Sequence, residues 1–185
     1  VDEIVLVVGK GEEEFCRREI VDKYGISKVK AIVEGGKERY HSVFEGLKQT
    51  SDADYVLIHD GARPFVNQDI IRRCMQEVQK YQACVVGMPV KDTIKIADEE
   101  GYAKQTPDRK NVWMIQTPQT FSYALIYEAY EEMLKTEDTA ITDDPMVLER
   151  IKGKKSKLIE GSYRNIKITT PEDLLIANVY LQHPE

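Results

Sequence analysis

Cysteine is scarce in this chain: Cys16, Cys74 and Cys84 are three residues in 185, far apart, and no two form a CxxC pair. That excludes a disulfide framework or a cysteine-rich zinc site, and free thiols in a reducing compartment are expected. The histidines are equally few, and His41, His59 and His183 share no ligand spacing, which argues against zinc held by imidazole. No apolar run approaches the length of a membrane span. A basic excess is also missing, for the net charge is −6. That balance argues against a general nucleic-acid binder while leaving room for one small basic pocket around a phosphorylated substrate. Neither Ser42 nor Ser162 has a histidine that the sequence places beside it, so no nucleophile–base pair stands out. Repeats and low-complexity linkers are absent, and a single domain over residues 1–185 is expected, with the cytoplasm as its compartment.

What remains is an alternation of strands and helices. The opening strand is IVLVV (Ile4–Val8), and a helical pattern over Glu12–Tyr24 is stopped by Gly25. Lys28–Val33 reads as the next strand. Tyr40, Val43, Phe44 and Leu47 recur at i, i+3, i+4 and i+7, one apolar face of a helix. A buried strand at Tyr55–Ile58 follows, then a helix that Asn67 caps, and another buried strand at Ala83–Val86. Ser122 and Thr142 are expected caps of two later helices, the second ending near Gly153. Thr170, Pro171 and Glu172-Asp173 give a full start signal for the last helix. Such βα alternation predicts a layered α/β domain with a mostly parallel sheet flanked by helices.

One stretch interrupts the alternation. Thr93–Ala97 and Tyr102–Thr106 read as two strands joined by a turn at Asp98–Gly101. A lone hairpin is marginal in water, so it must pack on its own domain or on a second subunit.

Chemistry concentrates in VLIHDGARPF (Val56–Phe65). A strand that ends on Asp60, Gly61 and Arg63 lies where open α/β sheets hold ligands. The carboxylate can hold a hard cation, and the guanidinium can fork onto phosphate; a surface ion pair in a plain turn explains the same residues. Gly35-Gly36 precedes a helix with Arg39 and Ser42 in its first turns, which suits a phosphate, a base edge or simply a tight turn. Simple capping accounts for Thr142, Asp143 and Asp144. Lys167, between Ile166 and Ile168 in an expected strand over Asn165–Thr169, is either a snorkelling edge residue or a charge with a task. An acid, several cations and glycine turns without a nucleophile suit phosphoryl or nucleotidyl transfer.

Six segments occur in one order: GGKERYHSVFEGL (Gly35–Leu47), VLIHDGARPFV (Val56–Val66), PVKDTIK (Pro89–Lys95), QTPQTF (Gln116–Phe121), ITDD (Ile141–Asp144) and GSYRNIKITTPEDL (Gly161–Leu174). Together they resemble the 2-C-methyl-D-erythritol 4-phosphate cytidylyltransferase family over essentially the whole chain. The resemblance implies a Rossmann-like nucleotidyltransferase fold with a protruding β-hairpin arm over residues 91–110. It also implies attack of the methylerythritol phosphate on the α-phosphorus of CTP, without a covalent enzyme intermediate. Asp60 matches the aspartate that holds Mg²⁺, or another hard divalent cation, between the CTP phosphates. Arg63 matches an arginine near the phosphosugar, and Lys167 the lysine facing the α-phosphate. Gly35, Gly36, Ser42 and Gly61 fall where the family takes cytidine. Thr117 and Thr142 fall among the substrate contacts. The arm implies a homodimer in which Thr93 and Arg109 reach the partner's site, Arg109 gripping the substrate phosphate.

The sequence departs from the family in two places. No segment of it matches the glycine-rich loop that wraps the triphosphate, and the opening at Val1 sets the expectation that an N-terminal portion is missing, with little activity if it is truly absent. Lys37 stands where some relatives carry an acid. Two other readings remain open, a ribitol-phosphate cytidylyltransferase and a truncated, non-catalytic nucleotide-binding relative. PVKDTIK and Pro107-Asp108-Arg109 fit the first reading better.

Overall fold

A computed structural model describes residues 1–50, 52–136 and 141–183. The chain divides into two compact units, Val1–Val56 with Phe121–Lys155, and Leu57–Thr120 with Ser156–Glu185.

In the first unit β1 (Ile4–Val8) pairs in parallel with β2 (Val29–Glu34). Between them α1 (Glu13–Cys16) continues as a π-helical stretch, Arg17–Asp22, and Gly25 turns the chain with φ +61°. The expected helix therefore exists, but its second half is wider wound than an α-helix. α2 (Arg39–Leu47) packs on both strands and on α4 (Tyr123–Met133), and α4 packs on α5 (Asp144–Lys152). Leu47, Ile126, Ala129, Tyr130, Met133, Val147 and Leu148 form the buried core. Phe44 stacks on Tyr130, the ring centroids 6.2 Å apart. Burying one such apolar side chain stabilises the unit by roughly 1.5–3 kcal/mol.

Of two expected caps here, one makes no side-chain bond and the other shifts by a residue. Ser122 does stand at the N-cap of α4, but its side chain makes no capping bond. Asp143, not Thr142, caps α5: its carboxylate accepts the Met146 N–H at 3.1 Å, and Gly153 closes the helix in the left-handed region.

The second unit is built on a four-stranded sheet in the order β3 (Tyr55–Ile58), β7 (Trp113–Ser122), β4 (Ala83–Pro89), β8 (Lys157–Glu160). β4 and β8 run parallel. α3 (Gln68–Tyr81), capped by Asn67 Oδ1 on the Ile70 N–H at 3.0 Å, buries Ile70, Cys74 and Val78 against this sheet. α6 (Pro171–Gln182) starts where expected, with Thr170 and Asp173 forming a capping box. β5 (Ile96–Ala97) and β6 (Ala103–Gln105) make the antiparallel hairpin, shorter than expected, so Thr93 lies ahead of its first strand. The expected strand at Asn165–Thr169 is instead an extended connection that reaches β3's loop through Ile168 N–H to Ala62 C=O, 2.8 Å.

Candidate active site

β3 ends at Ile58, and the loop behind it turns through Asp60 and Arg63, with the Arg63 N–H bonded to the Asp60 C=O at 2.9 Å. Lys167 is remote in sequence but adjacent in space, its ammonium 3.1 Å from Asp60 Oδ2. Arg63 Nε lies 3.8 Å from the same oxygen. Asp60 and Arg63 are largely buried, at 17% and 13% side-chain exposure, whereas Lys167 is 43% exposed. A carboxylate flanked by two cations, one of them open to solvent, is a place where an anion can dock. Gly61 is exposed beside them, and a Cβ there would meet no atom within 4 Å.

A scaffold of hydrogen bonds fixes these groups. Arg63 Nη1 donates to the Asn165 C=O at 2.8 Å, two residues before Lys167. Asn165, fully buried, donates from Nδ2 to the Thr117 C=O at 2.9 Å. Thr117 Oγ1 in turn accepts the Asp60 N–H at 3.0 Å and lies 2.9 Å from His59 Nδ1. Burial pushes the His59 imidazole below its ordinary pKa, against the opposing pull of the Arg63 C=O. The connection that carries Lys167 leaves β8 at Gly161, where an added Cβ would run into Gln116 Oε1 and Val86 Cγ1. Gln116 Nε2 bonds the Ser162 C=O at 2.8 Å beside it. Arg164 donates to the C=O groups of Tyr180 and His183 at 2.8 and 2.7 Å and lies over the Tyr180 ring. Phe65 meets that ring edge-on at 5.4 Å.

Five candidate residues thus converge in this unit: Asp60, Gly61, Arg63, Lys167 and Thr117. Thr117 enters as an inward-facing group, only 2% exposed. Thr93 and Arg109 stay exposed at the base of the hairpin, Arg109 Nη1 donating to the Lys91 C=O at 3.0 Å.

The first unit carries the others. Gly35 N–H bonds the Val8 C=O, and Gly36 N–H donates to Ser42 Oγ at 3.1 Å. Added Cβ atoms would strike Ser42 Oγ at Gly35 and the His41 side chain at Gly36, so this turn has no room for side chains. Thr142 is exposed, just before the α5 cap. The largest departure from expectation is Asp144, read from sequence as a cap. It is fully buried and takes a two-pronged bond from Arg39, Nη1–Oδ1 2.8 Å and Nη2–Oδ2 2.9 Å. The Tyr130 hydroxyl donates to the same Oδ1 at 2.5 Å. Arg39 stands in the GGKER run, but nothing in spacing links it to a partner 105 positions on.

Among the described residues no group of three or more His, Cys, Asp or Glu could hold a metal by itself. One carboxylate still fits Mg²⁺, which is commonly bound through one or two carboxylates together with substrate phosphates.

A sequence model described as IspD, 2-C-methyl-D-erythritol 4-phosphate cytidylyltransferase, matches residues 1–183. The chain belongs to this family. It is 52% identical over 183 residues to the 2-C-methyl-D-erythritol 4-phosphate cytidylyltransferase of Alkaliphilus oremlandii, covering 98% of this chain and 77% of that protein. The corresponding enzyme of Lachnospira eligens is 51% identical, with coverage of 98% and 80%. Among solved cytidylyltransferase structures, the 4-diphosphocytidyl-2C-methyl-D-erythritol synthase of Anaerococcus prevotii superposes with a TM-score of 0.90 at 40% identity, covering 99% and 80%. The 2-C-methyl-D-erythritol 4-phosphate cytidylyltransferase of Thermus thermophilus gives 0.76 at 31%, covering 97% and 82%. The fold is the Rossmann-like nucleotidyltransferase fold of this family.

Proposed function

We propose that this chain transfers the cytidylyl group of CTP to 2-C-methyl-D-erythritol 4-phosphate, giving CDP-methylerythritol and pyrophosphate in non-mevalonate isoprenoid synthesis. The observation that carries the reading is the Asp60–Lys167 contact at 3.1 Å, with Arg63 beside it, drawn together from two separate family segments. A phosphate oxygen of the sugar phosphate attacks the α-phosphorus of CTP. The bond from that phosphorus to the bridging oxygen breaks, and its electron pair leaves with pyrophosphate. Chemistry of this kind asks for position and charge neutralisation rather than a protein nucleophile.

Lys167, half open to solvent and aimed across Asp60, offsets charge on the α-phosphoryl group. Arg63, clamped on Asn165 C=O, faces the incoming phosphate. Asp60 holds Mg²⁺ or another hard divalent cation, which when bound draws charge from the triphosphate. The Gly35-Gly36 turn with Ser42 takes the cytidine, Gly61 leaves its backbone open to the nucleotide, and Thr142 contacts the methylerythritol. Thr93 and Arg109, exposed at the hairpin base, reach a partner's site, so the working form is a homodimer joined through the arm. None of the described helices is long and apolar enough to cross a membrane, and a cytoplasmic enzyme accords with the free thiols.

Pyrophosphate release from CTP and Mg²⁺ tests the reading, with methylerythritol phosphate and ribitol 5-phosphate offered separately. Release with the first substrate is expected. Release with ribitol phosphate alone would replace the assignment with the sister activity. Lys167→Ala should lower turnover at least a hundredfold while the protein remains dimeric; a change confined to substrate KM would remove the role given to that lysine.

A further inference from the structure

The chain leaves β8 and meets the end of β4, where the Gly161 N–H bonds the Gly87 C=O at 2.9 Å. Tyr163 then reaches the residues from which the hairpin arm departs. Its hydroxyl donates to the Pro89 C=O at 2.8 Å, and the Lys91 ammonium stands 3.6 Å from its ring centroid. Pro89 closes β4, and Lys91 belongs to the segment that leads through Thr93 to the hairpin. The returning side of the arm is tied to the same residues. The Val90 N–H bonds the Val112 C=O at 3.0 Å, and Arg109 Nη1 donates to the Lys91 C=O at 3.0 Å. Lys91 is thus held on Tyr163 by its ammonium and on Arg109 by its carbonyl.

We propose that Tyr163 is a positioning residue that fixes the base of the hairpin arm, and with it the guanidinium of Arg109. This rests on the grip on the substrate phosphate assigned above to Arg109. The arm's own strands, Ile96–Ala97 and Ala103–Gln105, are too short to set its direction, so that direction is decided where it leaves β4. Tyr163 acts there twice, through a hydrogen bond to the backbone and through its ring face on a cation. It also stands four residues before Lys167, in the connection that Arg63 clamps at the Asn165 C=O. One side chain therefore joins the segment of the lysine to the arm, and the two keep one geometry. With its hydroxyl committed to Pro89 and a ring face to Lys91, Tyr163 acts on substrate through Arg109.

The test compares Tyr163→Leu, which loses both contacts, with Tyr163→Phe, which keeps the ring and loses the hydroxyl. Tyr163→Leu should raise KM for the sugar phosphate about fivefold to tenfold, with kcat and KM for CTP within about twofold of the parent. Tyr163→Phe should fall between the two. On an Arg109→Ala background Tyr163→Leu should add nothing to that KM, because the group it positions is gone. A full further rise there would mean that Tyr163 meets substrate itself, and would overturn the proposal. An unchanged KM in Tyr163→Leu, or equal rises for both substrates, would overturn it too. A second measurement needs no turnover. Amide hydrogen exchange in Tyr163→Leu should quicken over residues 89–93 and 109–112 and stay as in the parent over residues 84–87. Unchanged exchange at the arm base would remove the proposal, whatever the substrate proves to be. Quickened exchange in a protein whose parent turns over neither sugar phosphate would uphold the anchor and remove only the assigned reaction.

Discussion

Asp144 carries a charge into the interior of the first unit and meets two donors there, the Arg39 guanidinium and the Tyr130 hydroxyl. Removing Asp144 takes the acceptor from the buried Tyr130 hydroxyl and a pairing charge from the partly exposed Arg39, so Asp144→Ala should cost about 3 kcal/mol, measured by denaturant unfolding. Tyr130 gives the set a pH signature. Burial, with the Asp144 charge beside it, raises the phenol well above its ordinary value. The native state then retains a proton that the unfolded chain loses near pH 10. This contribution to stability is complete below that pH and is lost as pH rises beyond it. Melting temperature between pH 8 and 11 should fall more steeply for the parent protein than for Tyr130→Phe. At this scale the sequence was legible only where function groups residues in one segment. VLIHDGARPF exposed Asp60 and Arg63 because they are neighbours. Asp144 and Arg39 lie in separate segments, and their pairing exists only after α2 and α4–α5 have packed. His59 was read only as a failed zinc ligand, although it stands next to Asp60.

Helix ends are where local chemistry speaks most plainly in this chain. Asn67 and Thr170 cap α3 and α6 as their sequences predict, because a cap needs only residues within one turn. The α5 start is subtler, since Thr142, Asp143 and Asp144 offer three capping oxygens in a row and geometry selects the middle one. Asp143→Ala should therefore lower stability by about 1 kcal/mol in thermal unfolding, whereas Thr142→Ala should leave the melting temperature unchanged. Equal effects would contradict the cap. β7 escaped notice for a physical reason. Its buried centre, Gln116–Thr120, is polar and contains Pro118, the opposite of a strand signature. Gln116 and Thr117 find partners from elsewhere, at Ser162, Asn165 and Asp60, which no local window contains. β8, only four residues and mostly exposed, offered no apolar run to read.

At the scale of the whole molecule the proposed partner surface is the hairpin, where Ile96 is 46% and Tyr102 70% exposed. Apolar side chains on a two-stranded arm are poorly placed in water, and a second subunit would cover them. Changing both, Ile96→Glu with Tyr102→Glu, should shift the protein to monomer in light scattering and reduce turnover if Thr93 and Arg109 serve the partner's site as proposed. A variant that stays dimeric would place the interface elsewhere. The layered α/β class was legible from alternation, since βα order needs no knowledge of packing, whereas the nucleotidyltransferase fold came only through the resemblance of the six segments. The far end of the chain has a bearing on the site that alternation does not reveal. Arg164 grips the carbonyls of Tyr180 and His183 and lies over a ring that also meets Phe65. A premature stop codon at Tyr180 would release that grip three residues from Lys167. In a genetic screen such an allele would group with the substitutions at Asp60 and Lys167.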